Sequence, residues 1–161
     1  MDISFRFGVQ NDVPQLDKVQ SLSITGLCKS HYTSKEVRAL AQYIKPYHTW
    51  ISQGVFSGFS VLLAENNVHI VGFSSIDGTG TLHGIYVLPE YSQLGIGSKL
   101  LAGAESTAKQ RGIERVSVTA SLNSQCFYEK HGYQYLGLTS WPLGQGAIIK
   151  AASMRKSLEC T

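Results

Sequence analysis

The sequence predicts an α/β domain in which helices are layered on a mixed sheet, and three observations carry that prediction. Short apolar runs of strand length alternate with segments whose apolar residues recur at helical spacing. Between them stands turn chemistry: Asn66-Asn67, Asp77-Gly-Thr-Gly80, Gly112 and Gly132. At 161 residues the chain has the size of one domain with a substantial core, and 1–161 reads as a single unit.

The elements follow in order. Ile3 to Phe7 alternates in hydropathy and reads as an edge strand. Asn11 or Asp12 can cap a helix running to about Ser23, with Val13, Leu16, Val19 and Leu22 at helical spacing. Thr33-Ser-Lys-Glu36 is a capping box that opens a second helix through about Tyr43, and Pro46 ends it. Ser60 to Glu65 is an apolar strand, Asn66-Asn67 a hairpin turn, and Val68 to Ile76 the returning strand.

Asp77 to Gly80 turns the chain again into a strand from Thr81 to Val87. The next helix carries the stripe Ile96, Leu100, Leu101, Ala104 and Ala108 and stops at Gly112. Val116 to Ala120 is a strand, followed by a short loop and a helix through Phe127-Tyr128-Glu129-Lys130 that ends at Gly132. Strands Gln134–Thr139 and Ala147–Lys156 flank a turn region at Trp141-Pro-Leu-Gly144. The order is therefore β-α-α-β-β-β-α-β-α-β-β.

Composition excludes several classes of function. The net charge of +3 is too small and too dispersed for a nucleic-acid surface, though it suits an anionic ligand. No run approaches the ~20 apolar residues of a membrane span, and the N-terminus lacks the layout of a signal peptide. A cytoplasmic protein acting away from membranes is expected. Cys28, Cys126 and Cys160 show no metal-ligand spacing and are odd in number, so reduced thiols and no metal are expected. Cys126 reads as a small helix-packing residue rather than a nucleophile, because no His–carboxylate partner lies near it in sequence.

The most informative stretch is Val87-Leu-Pro-Glu-Tyr-Ser-Gln-Leu-Gly-Ile-Gly-Ser-Lys-Leu-Leu101. A strand ends, a polar turn follows, and two glycines open a helix whose first amides have no intrahelical partners. That arrangement suits a phosphate or pyrophosphate. It is not a P-loop, since Gly97-Ser98-Lys99-Leu100 has the wrong order, and the third glycine of a dinucleotide fingerprint is Leu100 here. By itself Gly95-Ile96-Gly97 fits a ligand-binding loop or a plain glycine-rich helix start equally.

A second segment, Val116-Ser-Val-Thr-Ala-Ser-Leu-Asn-Ser-Gln-Cys-Phe-Tyr-Glu-Lys-His-Gly-Tyr133, decides between them. Together the two resemble the GNAT superfamily of acyl-CoA-dependent N-acyltransferases. Its signature is Q/R-x-x-G-x-G/A after a central strand, then a strand–helix unit ending in Phe-Tyr-Glu-Lys-x-Gly-Phe/Tyr. The tail Ala151-Ala-Ser-Met154-Arg-Lys-Ser-Leu158 is similar to the family's last strand. The resemblance is strongest over Ile70 to Tyr133 and weakest between about Ser30 and Ser60. One departure stands out: the family's Gln/Arg position is Ser92, followed by Gln93. Backbone donors do not depend on side-chain identity, so that departure touches only an extra side-chain contact, for which Gln93 can substitute.

The resemblance implies a GNAT-like layered α/β domain: a mixed, mostly antiparallel central sheet flanked by helices, with splayed fourth and fifth strands. It implies acetyl transfer from acetyl-CoA directly to an amine, with no metal. The coenzyme would pair with backbone at Ile85, Tyr86 and Val87, and place its pyrophosphate on amides of Gln93, Leu94, Gly95, Ile96, Gly97 and Ser98. Asn123 matches a position that bonds the pantetheine, or else serves as an ordinary turn residue. Tyr128 matches the family's general acid toward the leaving thiolate. For the base, His83 and Glu65 are the candidates, against a structural histidine and a surface carboxylate.

The acceptor site in this family is built beside the first two helices. Here that region holds His31, Tyr32, Tyr43, Tyr47, His48, Trp50, Phe56 and Phe59, as pocket lining or as core. It carries no acidic cluster, which disfavours a polycationic acceptor and suits a small-molecule amine. A peptide or protein acceptor, and a non-catalytic CoA-binding module, are the competing readings. Dimers are common in the family, so a homodimer is compatible with it.

Overall fold

The computed structural model describes residues 1–43 and 59–159. Pro46, Tyr47, His48, Trp50, Phe56 and Cys160 lie outside them, and so do the readings that fall on those residues.

Among the described residues seven strands form one sheet: β1 (Ser4–Phe7), β2 (Ser60–Glu65), β3 (Ile70–Ile76), β4 (Thr81–Val87), β5 (Arg115–Ala120), β6 (Gln134–Gly144) and β7 (Ala147–Ser157). Their spatial order is β1-β2-β3-β4-β5-β7-β6. The helices among the described residues are α1 (Val13–Leu27), α2 (Ser34–Ala41), α3 (Ile96–Gln110) and α4 (Gln125–Lys130). Every strand pair is antiparallel except β4 with β5. That parallel pair needs a crossover, and α3 supplies it.

Two apolar layers hold the sheet. On one face Leu16, Val19 and Ile24 of α1 and Leu40 of α2 pack with Phe73 and Tyr86. On the other, Leu101, Ala104 and Ala108 of α3 pack with Ile76, Leu82, Val116 and Val118. β3 lies between the layers and is buried along its whole length, which is why Ile70-Val-Gly-Phe-Ser-Ser-Ile76 reads as a continuous rather than alternating run.

Several boundaries differ from the sequence reading. α1 continues past Ser23 to Leu27 because Ile24 is buried against the sheet. Asp12 stands at its N-cap without capping it; the carboxylate instead takes the Arg6 guanidinium at 2.8 and 2.9 Å and the Val9 amide at 2.8 Å. The Thr33 capping box forms with both bonds, at 2.8 and 3.2 Å, but α2 ends at Ala41. β3 begins at Ile70 rather than Val68, since the Asn66 side chain accepts the amides of Val68 and His69 at 2.9 and 2.7 Å.

The Trp141–Gly144 turn region is strand instead. β6 runs through it, and the hairpin turns at Gln145-Gly146, with φ of 51° and 77°. Pro142 is tolerated there because β6 is the outermost strand and, among the described residues, one of its edges lacks a ladder.

Candidate functional site

β4 and β5 pair only at Thr81 with Ser117 and Leu82 with Val118. Beyond that point they diverge, and a cavity of about 570 Å³ fills the gap between them. Its walls include 83–87 from β4 and 118–121 from β5 and the loop after it. The Leu88 amide bonds the Val71 carbonyl of β3 at 2.9 Å. By strand alternation the main-chain groups of Ile85 and Val87 therefore face the gap, with donors and acceptors for an extended ligand. The main-chain groups of Tyr86 face β3 instead, and its tilted ring lies 5.3 Å from that of Phe73 at the cavity wall.

The glycine loop closes one end of the cavity. Gln93 and Gly95 adopt left-handed conformations, φ 65° and 78°, which turn consecutive amides inward. The first bond into α3 runs from the Lys99 amide to the Gly95 carbonyl at 3.2 Å. Among the described residues, the amides of 93–98 find no acceptor within the chain. Gln93, Gly95, Gly97 and Ser98 line the cavity. The side chains of Leu94 and Ile96 do not: Leu94 is 58% exposed and Ile96 is buried against the sheet, so each offers only its amide. Ser92 turns its hydroxyl back onto the Pro89 carbonyl at 2.7 Å and steadies the turn.

The opposite wall comes from the β5–α4 unit. Asn123 lines the cavity with a buried side-chain carbonyl oxygen that has no hydrogen-bond donor among the described residues. An orphaned buried acceptor is costly, and a ligand amide would satisfy it. Tyr128 also lines the cavity; its ring packs edge-on against Phe127 and Tyr133 at 5.2 and 5.3 Å. Its hydroxyl makes no hydrogen bond among the described residues, and burial pushes its pKa well above the ordinary phenol value. Such a phenol keeps its proton until a stronger base presents itself.

Cys126 is exposed at the rim of the cavity, not packed inside as its place in the motif suggested; Phe127 and Tyr128 fill the inward positions of that short helix. The Cys28 thiol is buried in the wall, and burial pushes its pKa up against weaker opposing bonds from Asn123 and Ser121.

The two base candidates separate cleanly. Glu65 does not line the cavity: strand register places it opposite Ser4, and Arg6 binds its carboxylate at 3.1 Å. His83 does line the cavity, and its Nε2–H donates to Asp77 Oδ2 at 2.9 Å. Asp77 Oδ1 accepts from the Thr79 amide and hydroxyl at 2.9 and 2.7 Å and from the Thr81 amide at 3.0 Å. Burial pushes the Asp77 carboxyl up, but these bonds together outweigh it and hold the group below the usual carboxylate range.

On the acceptor side, Ser23, Ile24, Leu27 and Cys28 of α1 and its end, Leu40 of α2 and Trp141 line the cavity. Tyr32 is a strut instead: its hydroxyl donates to the Lys150 carbonyl at 2.6 Å and accepts the Leu122 amide at 3.0 Å. His31 is exposed beside Ser30, Tyr43 packs on Trp141, and Phe59 is buried with its ring 5.7 Å from that of His83. Among the described residues no carboxylate lines the cavity.

Asp77, Trp141 and His131 are among the lining or supporting residues that sequence reading passed over. Of these three, Asp77 left a signal there: Asp-x-Thr is an Asx-turn pattern, and it stands six residues before His83.

Comparison with known proteins agrees with this geometry. Residues 28–158 match the profile of the acetyltransferase (GNAT) domain. No curated protein matches the chain. Among solved structures, a GCN5-related N-acetyltransferase from Rhodopseudomonas palustris is 26% identical, with a TM-score of 0.84, covering 98% of this chain and 99% of that one. The PaiA N-acetyltransferase of Thermoplasma acidophilum, solved with coenzyme A, is 20% identical with a TM-score of 0.75, covering 98% and 100%. YncA, a putative acetyltransferase of Salmonella typhimurium solved with acetyl-CoA, is 15% identical with a TM-score of 0.69, covering 100% and 96%. No described helix is long and apolar enough to cross a membrane.

Proposed function

Because the chain belongs to the GNAT family of acetyltransferases, we propose that it moves an acetyl group from acetyl-CoA directly to the amine of a small molecule in the cytoplasm. One observation carries this reading: unpartnered loop amides, the orphaned Asn123 carbonyl and the Tyr128 hydroxyl converge on a single cavity between β4 and β5. The two relatives solved with coenzyme A or acetyl-CoA support the choice of donor.

Acetyl-CoA supplies an activated acyl group as its thioester. The chain has four tasks. Amides of 93–98, at the positive end of α3, hold the diphosphate. Main-chain groups of Ile85 and Val87, with Asn123, align the pantetheine, and the Val87 amide holds the negative charge that develops on the carbonyl oxygen. His83 takes a proton from the attacking amine. Tyr128 gives its proton to the departing sulfur. Apolar side chains from α1 and Trp141 form the acceptor side, and the lack of carboxylates among its described residues favours a compact amine over a polycation.

The test is calorimetry with coenzyme A and acetyl-CoA, followed by thiol release from acetyl-CoA across a panel of small primary amines. Binding and turnover are expected. Coenzyme binding with turnover only on peptides would move the acceptor class to proteins. Binding without any turnover would make the chain a silent coenzyme-binding module, and no binding at all would overturn the reading.

A further inference from the structure

We infer that Asp77 is a positioning residue for His83, so that the two act as one proton-accepting unit beside the cleft; this rests on the reading that His83 takes the amine proton. The carboxylate is set before the imidazole reaches it. Three donors on Oδ1 fix the group within its own turn and aim Oδ2 at His83. The turn is itself anchored: the Asp77 amide bonds the Thr81 carbonyl at 3.0 Å, and the Ser117 amide of β5 bonds the Gly80 carbonyl at 3.0 Å. The paired side chains are only 19% and 16% exposed, so solvent screens their interaction weakly.

β4 is distorted to make the meeting. Ile76 faces Leu82 but Ser75 faces Gly84, which leaves His83 as the extra residue of a β-bulge. Regular alternation would send His83 to the face of Ile85 and Val87, which pack against the α3 layer. The bulge turns it to the face of Phe59, where its Nε2 meets Asp77 Oδ2. Gly84 at φ 144° absorbs the distortion, with the Tyr86 ring so close that a Cβ would lie 2.7 Å from it.

The chemistry follows from what a carboxylate can do. It only accepts, so neutral His83 carries its proton on Nε2 and Nδ1 is the basic nitrogen. As the amine nitrogen bonds the acyl carbon and the carbon–sulfur bond breaks, the amine proton passes to His83. The imidazolium then stands against Asp77, while the Tyr128 proton goes to sulfur. Solvent later carries a proton from His83 back to the Tyr128 oxygen, which balances the cycle. Asp77 touches neither substrate.

Asp77→Asn separates this role from simple turn building. The Asn carbonyl oxygen can keep the three turn bonds, while its NH2 replaces Oδ2 and demands the opposite His83 tautomer. The experiment is ¹⁵N imidazole NMR on the full chain, with and without coenzyme A, joined to thiol release from acetyl-CoA with an amine that turns over. Expected are an Nε2–H tautomer in the unmodified protein and its loss in Asp77→Asn. Activity with the amine should fall about 10- to 100-fold, at unchanged KM for acetyl-CoA, and Asp77→Asn should cost nothing more in a His83→Gln background. An unchanged tautomer, or losses that add in the double variant, would overturn the inference. Because the tautomer is read without coenzyme, it decides even if coenzyme binding fails and the acetyltransferase reading falls.

Discussion

Ser98 Oγ and His131 Nε2 lie 2.9 Å apart, joining the first turn of α3 to the residue that closes α4. The other ring nitrogen donates to the Phe127 carbonyl at 2.8 Å, so in the neutral ring the Ser98 hydroxyl is the donor. The two motifs that identify the family are thus tied together at the rim of the glycine loop. His131→Ala should weaken coenzyme A binding about 3- to 10-fold, the scale of one hydrogen bond. Calorimetry checks it, and equal affinity would show that the loop amides hold their geometry unaided.

Tyr128→Phe removes a hydroxyl that bonds nothing among the described residues. The fold should tolerate it, with stability within ~0.5 kcal/mol of the parent. The turnover number should drop on the order of 100-fold or more, as for loss of a general acid, while coenzyme affinity holds. Steady-state kinetics alongside calorimetry separates the two, and an unchanged turnover number would remove Tyr128 from the chemistry.

His83→Ala should erase the acidic limb of the pH profile of kcat/KM, because the group that must be neutral to accept a proton is gone. A limb that persists at the same pH would assign the base elsewhere.

Gly84→Ala should damage activity through the backbone rather than the chemistry. The bulge holds φ at 144°, and a methyl group would press on the Tyr86 ring. A loss of about 1–3 kcal/mol in stability is expected from that strain, with activity lost beyond what unfolding explains. Denaturant titration together with kinetics on the folded fraction reads both.

Asp12 links the start of α1 to β1. Its carboxyl is held below the usual range chiefly by the hydrogen bond from Arg6, against an opposing effect of burial and with help from the Val9 amide. A carboxyl depressed by folding contributes stability above its unfolded value, and that contribution disappears as pH falls through the lowered folded value. Asp12→Asn should therefore cost about 1–2 kcal/mol at neutral pH, discounted because Arg6 is 40% exposed. The cost should shrink as the solution is acidified. Chemical denaturation at pH 7 and at successively lower pH measures it, and a pH-independent cost would contradict the linkage.

What was legible in the sequence was local. Gln93 to Ser98 form a backbone cradle because glycines and a helix start create one wherever they occur, and Tyr128 is placed by a helix a few residues long. The layered order of strands and helices came from periodicities of the same short range. The misreadings were of another kind. Trp141 looked like a turn residue because Pro142 and Gly144 follow it, and only the outer position of β6 explains why a strand survives there. Glu65 looked like a candidate base, yet the register of β1 against β2 hands it to Arg6.

The pairing of Asp77 with His83 shows the same division. Sequence alone determined that a carboxylate turn stands six residues before a histidine on the strand leading to the glycine loop. Tertiary structure decided that they meet, because a bulge against β3 turned the imidazole away from the α3 layer and onto Asp77. Local patterns encode backbone shape, since each residue's own sterics and hydrogen bonds set it. Which side chains share a site depends on strand register and layer packing, and those are settled by contacts with residues far away along the chain.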